Sequence, residues 1–208
     1  MNKLMHISAS PRGAESQSLA LAATYVEEVR RRYPAIDMET WDLWDGSLPE
    51  FGPEAVAAKM AIFGGGQPTG GQVAAWNDVR AAFERFDSAD DYLFSVPMWN
   101  AGVPYVLKRF IDVVSQPGMA FSFDADHGYT GLLRGKRATV IYTGAVYGED
   151  RSPAFGSDFA QPYFEDWLRW AGVSDIRSVA FRPNLVDPNV AVRRAVAADQ
   201  LAKLAAEL

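Results

Sequence analysis

The chain has 208 residues, 49% of them hydrophobic, with a formal net charge of -6 and no cysteine. That length suits one α/β domain spanning 1–208, and that apolar fraction excludes a disordered chain. The acidic balance, with no basic block, argues against a nucleic-acid partner, although backbone amides can still bind a small anion. Without cysteine there are no disulfides, no thiolate nucleophile and few routes to a zinc or iron–sulfur site, which fits a cytoplasmic location. No apolar run approaches membrane length, so no membrane partner is expected, and Met1–Ser8 reads as the lead into a strand rather than a cleavable leader.

In chain order, Leu4–Ser8 reads as a short buried strand. Helical spacing of Leu19, Ala22, Ala23, Val26 and Val29 predicts a helix from Ser18 to Arg32, closed by Pro34. Ile36–Trp41 is a second strand and Glu54–Ile62 a short helix. The Gly- and Pro-rich cluster Gly64–Gly71 reads as a connection into a helix over Val73–Phe86. Tyr92–Val96 is the third strand. The helix after it, Val103–Val114, carries one apolar stripe of Val103, Leu107, Phe110, Ile111 and Val114. Gln116–Gly135 is loop-rich. Arg137–Thr143 is the fourth strand, Gly144–Gly156 a loop, Phe159–Ala171 a helix, Ile176–Phe181 the fifth strand and Pro188–Leu208 a final helix. Strands alternating with helices imply a parallel sheet covered on both faces, and five strands fit a flavodoxin-like doubly wound order.

Two loops carry the chemistry. In an open parallel sheet, ligands bind beyond the carboxyl ends of the strands. After the first strand, Ser10, Ser16, Gln17 and Ser18 gather hydroxyl and amide donors where a helix begins, with Arg12 nearby. A helix start offers unpaired amides and partial positive charge, so this is a candidate phosphate cradle; ordinary helix capping by Ser16 is the competing reading. After the third strand, Pro97, Met98, Trp99, Asn100 and Ala101 form an aromatic-amide turn suited to covering a flat ring, and Gly102 lets backbone approach closely. Other motifs fail. There is no G-x-G-x-x-G. Gly131–Lys136 is one residue short of a P-loop, and Asp124–Gly128 has the wrong register for calcium. His6 and His127 are read as a strand and a loop residue, and Trp41, Trp44, Trp76, Trp167 and Trp170 as core or interface.

These motifs, in this order, resemble the FMN-dependent NADH-azoreductases, within the flavodoxin-like NAD(P)H:quinone oxidoreductases. The likeness runs through Ser10-Pro11-Arg12, Ser16-Gln17-Ser18, Pro97–Asn100 with Val103-Pro104 and Leu107-Lys108, Gln116–Phe121 and Gly131–Lys136. Three features depart from the family. Trp99 stands where Tyr is usual and Ala101 where Phe is frequent, and Thr143-Gly144-Ala145-Val146 replaces a common Ser-Arg-Gly-Gly. The resemblance implies a bound FMN, its phosphate on Ser10, Ser16, Gln17 and Ser18. The isoalloxazine would lie against Pro97, Met98, Trp99, Asn100 and Ala101, with Thr143 and Gly144 on its other side. It also implies a homodimer and two-electron ping-pong transfer from NADH or NADPH to a quinone or azo acceptor, with Phe121 and Tyr147 shaping the acceptor pocket and no residue cast as general acid or base. The alternatives are a flavin or drug reductase of the same fold with another acceptor, a flavodoxin-type electron carrier without its own substrate pocket, and a structural or regulatory relative that has lost flavin, which the altered loop 143–146 would suit; the long stretches 43–71 and 116–135 favour an enzyme over a carrier.

Overall fold

The computed structural model describes residues 3–208. Met1 and Asn2, at the head of the stretch read as leading into a strand, lie outside the described residues. The chain runs β1 (Lys3–Ser8), α1 (Gln17–Arg32), β2 (Asp37–Asp42), α2 (Pro53–Phe63), α3 (Gly71–Asp87), β3 (Asp91–Pro97), α4 (Tyr105–Val114), β4 (Phe121–Asp124), β5 (Gly128–Gly131), β6 (Arg137–Thr143), α5 (Ala160–Ala171), β7 (Asp175–Phe181) and α6 (Val190–Ala205). Five parallel strands form one sheet in the order β2-β1-β3-β6-β7. This is the doubly wound order expected from the sequence.

Strand alternation makes two cores from one sheet. Met5, Ile7, Tyr92, Phe94, Val140 and Tyr142 point to one face, where Phe86, Phe110, Phe164 and Trp167 of α3, α4 and α5 cover them. Leu4, Leu93, Ile141, Val179 and Phe181 point to the other, under α1 and α6. The middle strand β3 is buried from Asp91 to Val96, as a parallel strand with both faces covered must be, which is why it reads as a mostly apolar run.

The helix boundaries have local causes. α4 begins at Tyr105 rather than Val103 because Pro104 occupies the N-cap and biases the residue before it away from helical backbone. Val103 still packs on the core, from the loop. The stretch read as loop-rich contains the antiparallel hairpin β4–β5. Its turn is stabilised by the Asp124 carboxylate, which accepts from the Asp126 and His127 amides at 3.0 and 2.9 Å; this accounts for the acidic cluster rejected as a calcium loop. The hairpin seats on the end of α5 through backbone. A Cβ on Gly131 would lie 2.4 Å from the Gly172 amide nitrogen, and Leu133 donates its amide to the Ala171 carbonyl at 2.9 Å. No helix among the described residues is long and apolar enough to cross a membrane.

His6 sits on β1 with Nε2 2.9 Å from the Ser95 hydroxyl, and burial lowers its imidazole from 6.5 to about 4. The unfolded chain therefore takes up a proton that the fold resists. The stabilisation from a neutral ring is complete above pH 6.5 and is lost as pH falls from there towards 4. Urea unfolding at pH 7 and pH 4.5 should show this loss as about 2–3 kcal/mol more for the native chain than for His6→Gln. Equal losses in the two proteins would show that His6 is not the linked group.

Candidate active site

The strand ends stand level. Ser8 pairs with Ser95 and Asp42, Thr143 with Pro97 and Phe181, so the loops after all five strands open on one edge of the sheet. After β1 the chain turns outward to β2. After β3 it moves the other way, to β6 and β7. The crevice between the β1 and β3 loops is the switch point where such folds take ligands.

On one side of it is the start of α1. Ser16 is its N-cap: the hydroxyl accepts the Leu19 amide at 3.3 Å and lies 3.1 Å from the Ser18 hydroxyl. The Ser16 carbonyl accepts from Ala20, while the Gln17 and Ser18 amides have no backbone acceptor among the described residues. Capping and ligand binding are compatible here, because a serine hydroxyl can accept from the backbone and still donate its proton outward. Ser10, Ser16 and Ser18 are buried, and Gln17 is half-buried. Gln17 also lines a groove of about 590 Å³ between α1 and α6, with Asn184 and Arg194. Arg12 is exposed. Two free amides, a free helix end and enclosed hydroxyls fit a phosphate group.

On the other side is the β3 loop. Trp99 and Gly102 exchange amide-to-carbonyl bonds of 2.9 Å in both directions across Asn100 and Ala101, which stand at φ +49° and +67°. Two consecutive left-handed residues in so tight a turn make it a type I′ turn. The sequence places the backbone freedom at Gly102; the structure uses it at Asn100 and Ala101 instead. A Cβ on Gly102 would meet only the Trp99 carbonyl, at 3.8 Å. An alanine in this region is strained, which points to a site whose shape is fixed by its surroundings. The Phe159 amide donates to the Ala101 carbonyl at 2.8 Å, and the Met98 amide to the Thr143 carbonyl at 2.7 Å.

Thr143 and Gly144 close the third side. Both are buried, and a Cβ on Gly144 would meet the Met98 Cβ at 3.8 Å and the Arg182 Cβ at 3.4 Å. The Met98–Ala101 turn, Thr143 and Gly144 are therefore contiguous. The two expected acceptor-pocket residues divide. Tyr147 is half-buried beside the site, its ring 5.0 Å from the Arg182 guanidinium. Phe121 is 4% exposed, as enclosed as the serines of the α1 loop, and packs between Trp170 and Tyr129 at 4.8 and 5.4 Å.

Four residues at this edge escaped the sequence reading. Trp44, read as core or interface, is half-buried against Trp99 and Tyr105 at 5.8 and 5.1 Å, and its indole N–H donates to the Ala9 carbonyl at 3.1 Å. Its place just past the end of β2 is the signal that could have found it. Tyr105 and Phe159, 64% and 66% exposed, flank the same turn. Arg182, just past β7, is the fourth.

A family model described as "Flavodoxin-like fold" matches residues 2–205. An FMN-dependent NADH:quinone oxidoreductase of Ruegeria pomeroyi is 44% identical over 200 residues, covering 95% of this chain and 98% of the relative. The chain belongs to this flavodoxin-like family of NADH:quinone oxidoreductases. Its fold also superposes on an azoreductase from Bacillus anthracis at a TM-score of 0.91 and 21% identity, covering all of both chains. A second Bacillus anthracis structure, an FMN-dependent NADH-azoreductase in complex with FMN, gives 0.87 at 20% identity, over 100% of this chain and 99% of that one.

The strain at Ala101 is testable. Ala101→Gly relieves about 1–2 kcal/mol of left-handed strain and adds back about 0.4–1 kcal/mol of unfolded-state freedom. The variant should gain up to about 1 kcal/mol in urea unfolding at an unchanged m value, and the β-branched Ala101→Val should lose stability. A glycine variant less stable than the native chain would contradict the strained turn.

Proposed function

We propose that this chain is an FMN-dependent NADH:quinone oxidoreductase that also accepts azo compounds. The observation that carries it is the meeting, across the β1–β3 crevice, of a phosphate-type helix start with a rigid turn of ring-covering residues, in a chain 44% identical to a protein of that name. The Gln17 and Ser18 amides, with the hydroxyls of Ser10, Ser16 and Ser18, would bind the phosphate. Pro97, Met98, Trp99, Asn100 and Ala101 would form one wall for the isoalloxazine, and Thr143 and Gly144 the other. When bound, FMN supplies the redox chemistry: NADH, a proton and a quinone give NAD⁺ and the hydroquinone.

The protein's part is to hold, orient and exclude water. Trp44, Trp99 and Tyr105 form an aromatic cluster at the mouth, where stacked planar substrates gain offset contact. Neither histidine reaches the cleft: His6 is tied to Ser95 beneath α1, and His127 lies at the hairpin turn with Nδ1 2.8 Å from Asp124. No side chain is cast as an essential acid or base. The exposed rings of Tyr105, Phe155 and Phe159 beside the cleft favour a second copy of the chain as its cover, so we place the working enzyme as a homodimer. The cysteine-free composition suits the cytoplasm.

If donor and acceptor share the single cleft beside the aromatic cluster, they would have to take turns. Initial rates of NADH oxidation at several benzoquinone concentrations should give parallel double-reciprocal lines, and the rate should lack a limb set by histidine titration. Intersecting lines would contradict alternation in one site. No NADH oxidation with any quinone or azo dye would leave the carrier reading.

A further inference from the structure

The geometry points to Arg182 as the positioning residue that sets the cleft's second wall, an inference that rests on the FMN reading above. Its side chain is 3% exposed, yet it follows β7 directly and lies at the open edge of the sheet. One nitrogen, Nη2, stands 2.9 Å from Asp158 Oδ2, 3.2 Å from Glu149 Oε1 and 2.7 Å from the Gln161 side-chain oxygen. The guanidinium lies 5.7 Å from the Tyr142 ring and 5.0 Å from the Tyr147 ring, within cation–π range of both. Its stem lies against Gly144, where an added Cβ would be 3.4 Å from the Arg182 Cβ and 3.9 Å from its Cδ.

These contacts join two walls that sequence keeps apart. The loop from Thr143 to Glu149 is tied to the chain after Arg182 by the Asn184 amide on the Gly144 carbonyl and the Leu185 amide on the Ala145 carbonyl, at 2.9 and 3.0 Å. The segment Asp158–Gln161 holds the strained turn through the Phe159 amide on the Ala101 carbonyl. Arg182 bridges both. Nη2 has two N–H donors for these three oxygens, so it serves the Gln161 and Glu149 oxygens by hydrogen bonds and Asp158 by charge, while the planar face packs on the aromatic rings.

Nε and Nη1 are buried without an acceptor among the described residues. Buried N–H groups normally find a partner, so this edge is held ready for one that arrives with ligand or water. The positive charge also offsets the carboxylates of Asp158 and Glu149 beside the ring's site. Without it, those carboxylates would oppose the arrival of electrons there.

The test compares wild type, Arg182→Met and Arg182→Lys by fluorescence titration with FMN and with riboflavin, and by the midpoint potential of the bound FMN. Arg182→Met should weaken FMN and riboflavin alike, by about tenfold or more, because the defect lies at the ring and not the phosphate. Its bound FMN should have a lower midpoint potential. Arg182→Lys keeps the charge and loses the planar face over Tyr142 and Tyr147 and the buried Nε and Nη1 edge, so it should hold the potential near wild type while still binding both flavins more weakly. Should Arg182→Met fail to fold, Arg182→Lys with wild-type affinity for both flavins would itself overturn the proposal. Wild-type affinities and an unchanged potential in Arg182→Met would also overturn it, while leaving the FMN reading intact. A wild-type protein that binds neither flavin would overturn the reading on which the proposal rests.

Discussion

The reversal of direction between β1 and β3 is the constraint on which the rest of the structure depends. Because the chain leaves β1 towards one edge and β3 towards the other, α1 and α4 cover opposite faces of the sheet. Their connecting loops part at the carboxyl edge, and no helix crosses the gap. The free amides of α1 then face a crevice whose far wall is the turn after β3. Both central strands are buried on both faces, so the two walls stand on the most rigid part of the molecule.

An acidic protein that binds an anionic ligand is not a contradiction in this arrangement. The formal charge of -6 is spread over the chain, whereas the helix start acts within a few ångströms through unpaired N–H groups. The nearest side-chain cation of the loop, Arg12, is exposed and contributes little at that range in a screened solvent. Backbone amides and the serine hydroxyls beside them would therefore carry the proposed phosphate site together. The proposed ring site works differently. It depends on side chains that must be held in place, and the buried Arg182 ties the wall after β6 to the segment that supports the turn after β3.

Much of this was legible in the sequence because it follows from local rules. Alternation and apolar runs gave the five strands, with Arg137–Thr143 matched residue for residue. Ser16, Gln17 and Ser18 stood where a helix had to begin, and Pro97–Ala101 where a buried strand had to end. What was not legible came from contacts between distant segments. In the β4–β5 hairpin Phe121 and Tyr129 pack on Trp170 of α5, a distant contact, so its short strands read as loop. Phe121 is aromatic and near a flavin-type motif, and its packing on Tyr129 and Trp170 is one more contact that no local pattern shows. Trp44 packs on the core as read, and the level strand ends also bring it to Trp99. Arg182 sat in an unremarkable Phe-Arg-Pro step, and nothing local predicts that its partners lie 21 to 33 residues away.

The central claim is that the start of α1 holds a ligand by its phosphate. Titrations of FMN and riboflavin into the native chain and into a Ser16→Ala, Ser18→Ala double variant test it most directly, because the two ligands share the ring and differ at the phosphate. Losing the paired hydroxyls should remove charge-assisted hydrogen bonds of about 1.5–3 kcal/mol each, weakening FMN at least about a hundredfold and leaving riboflavin unchanged. An FMN affinity unaltered in the double variant, or equal losses for the two ligands, would contradict the assignment of the phosphate to this helix.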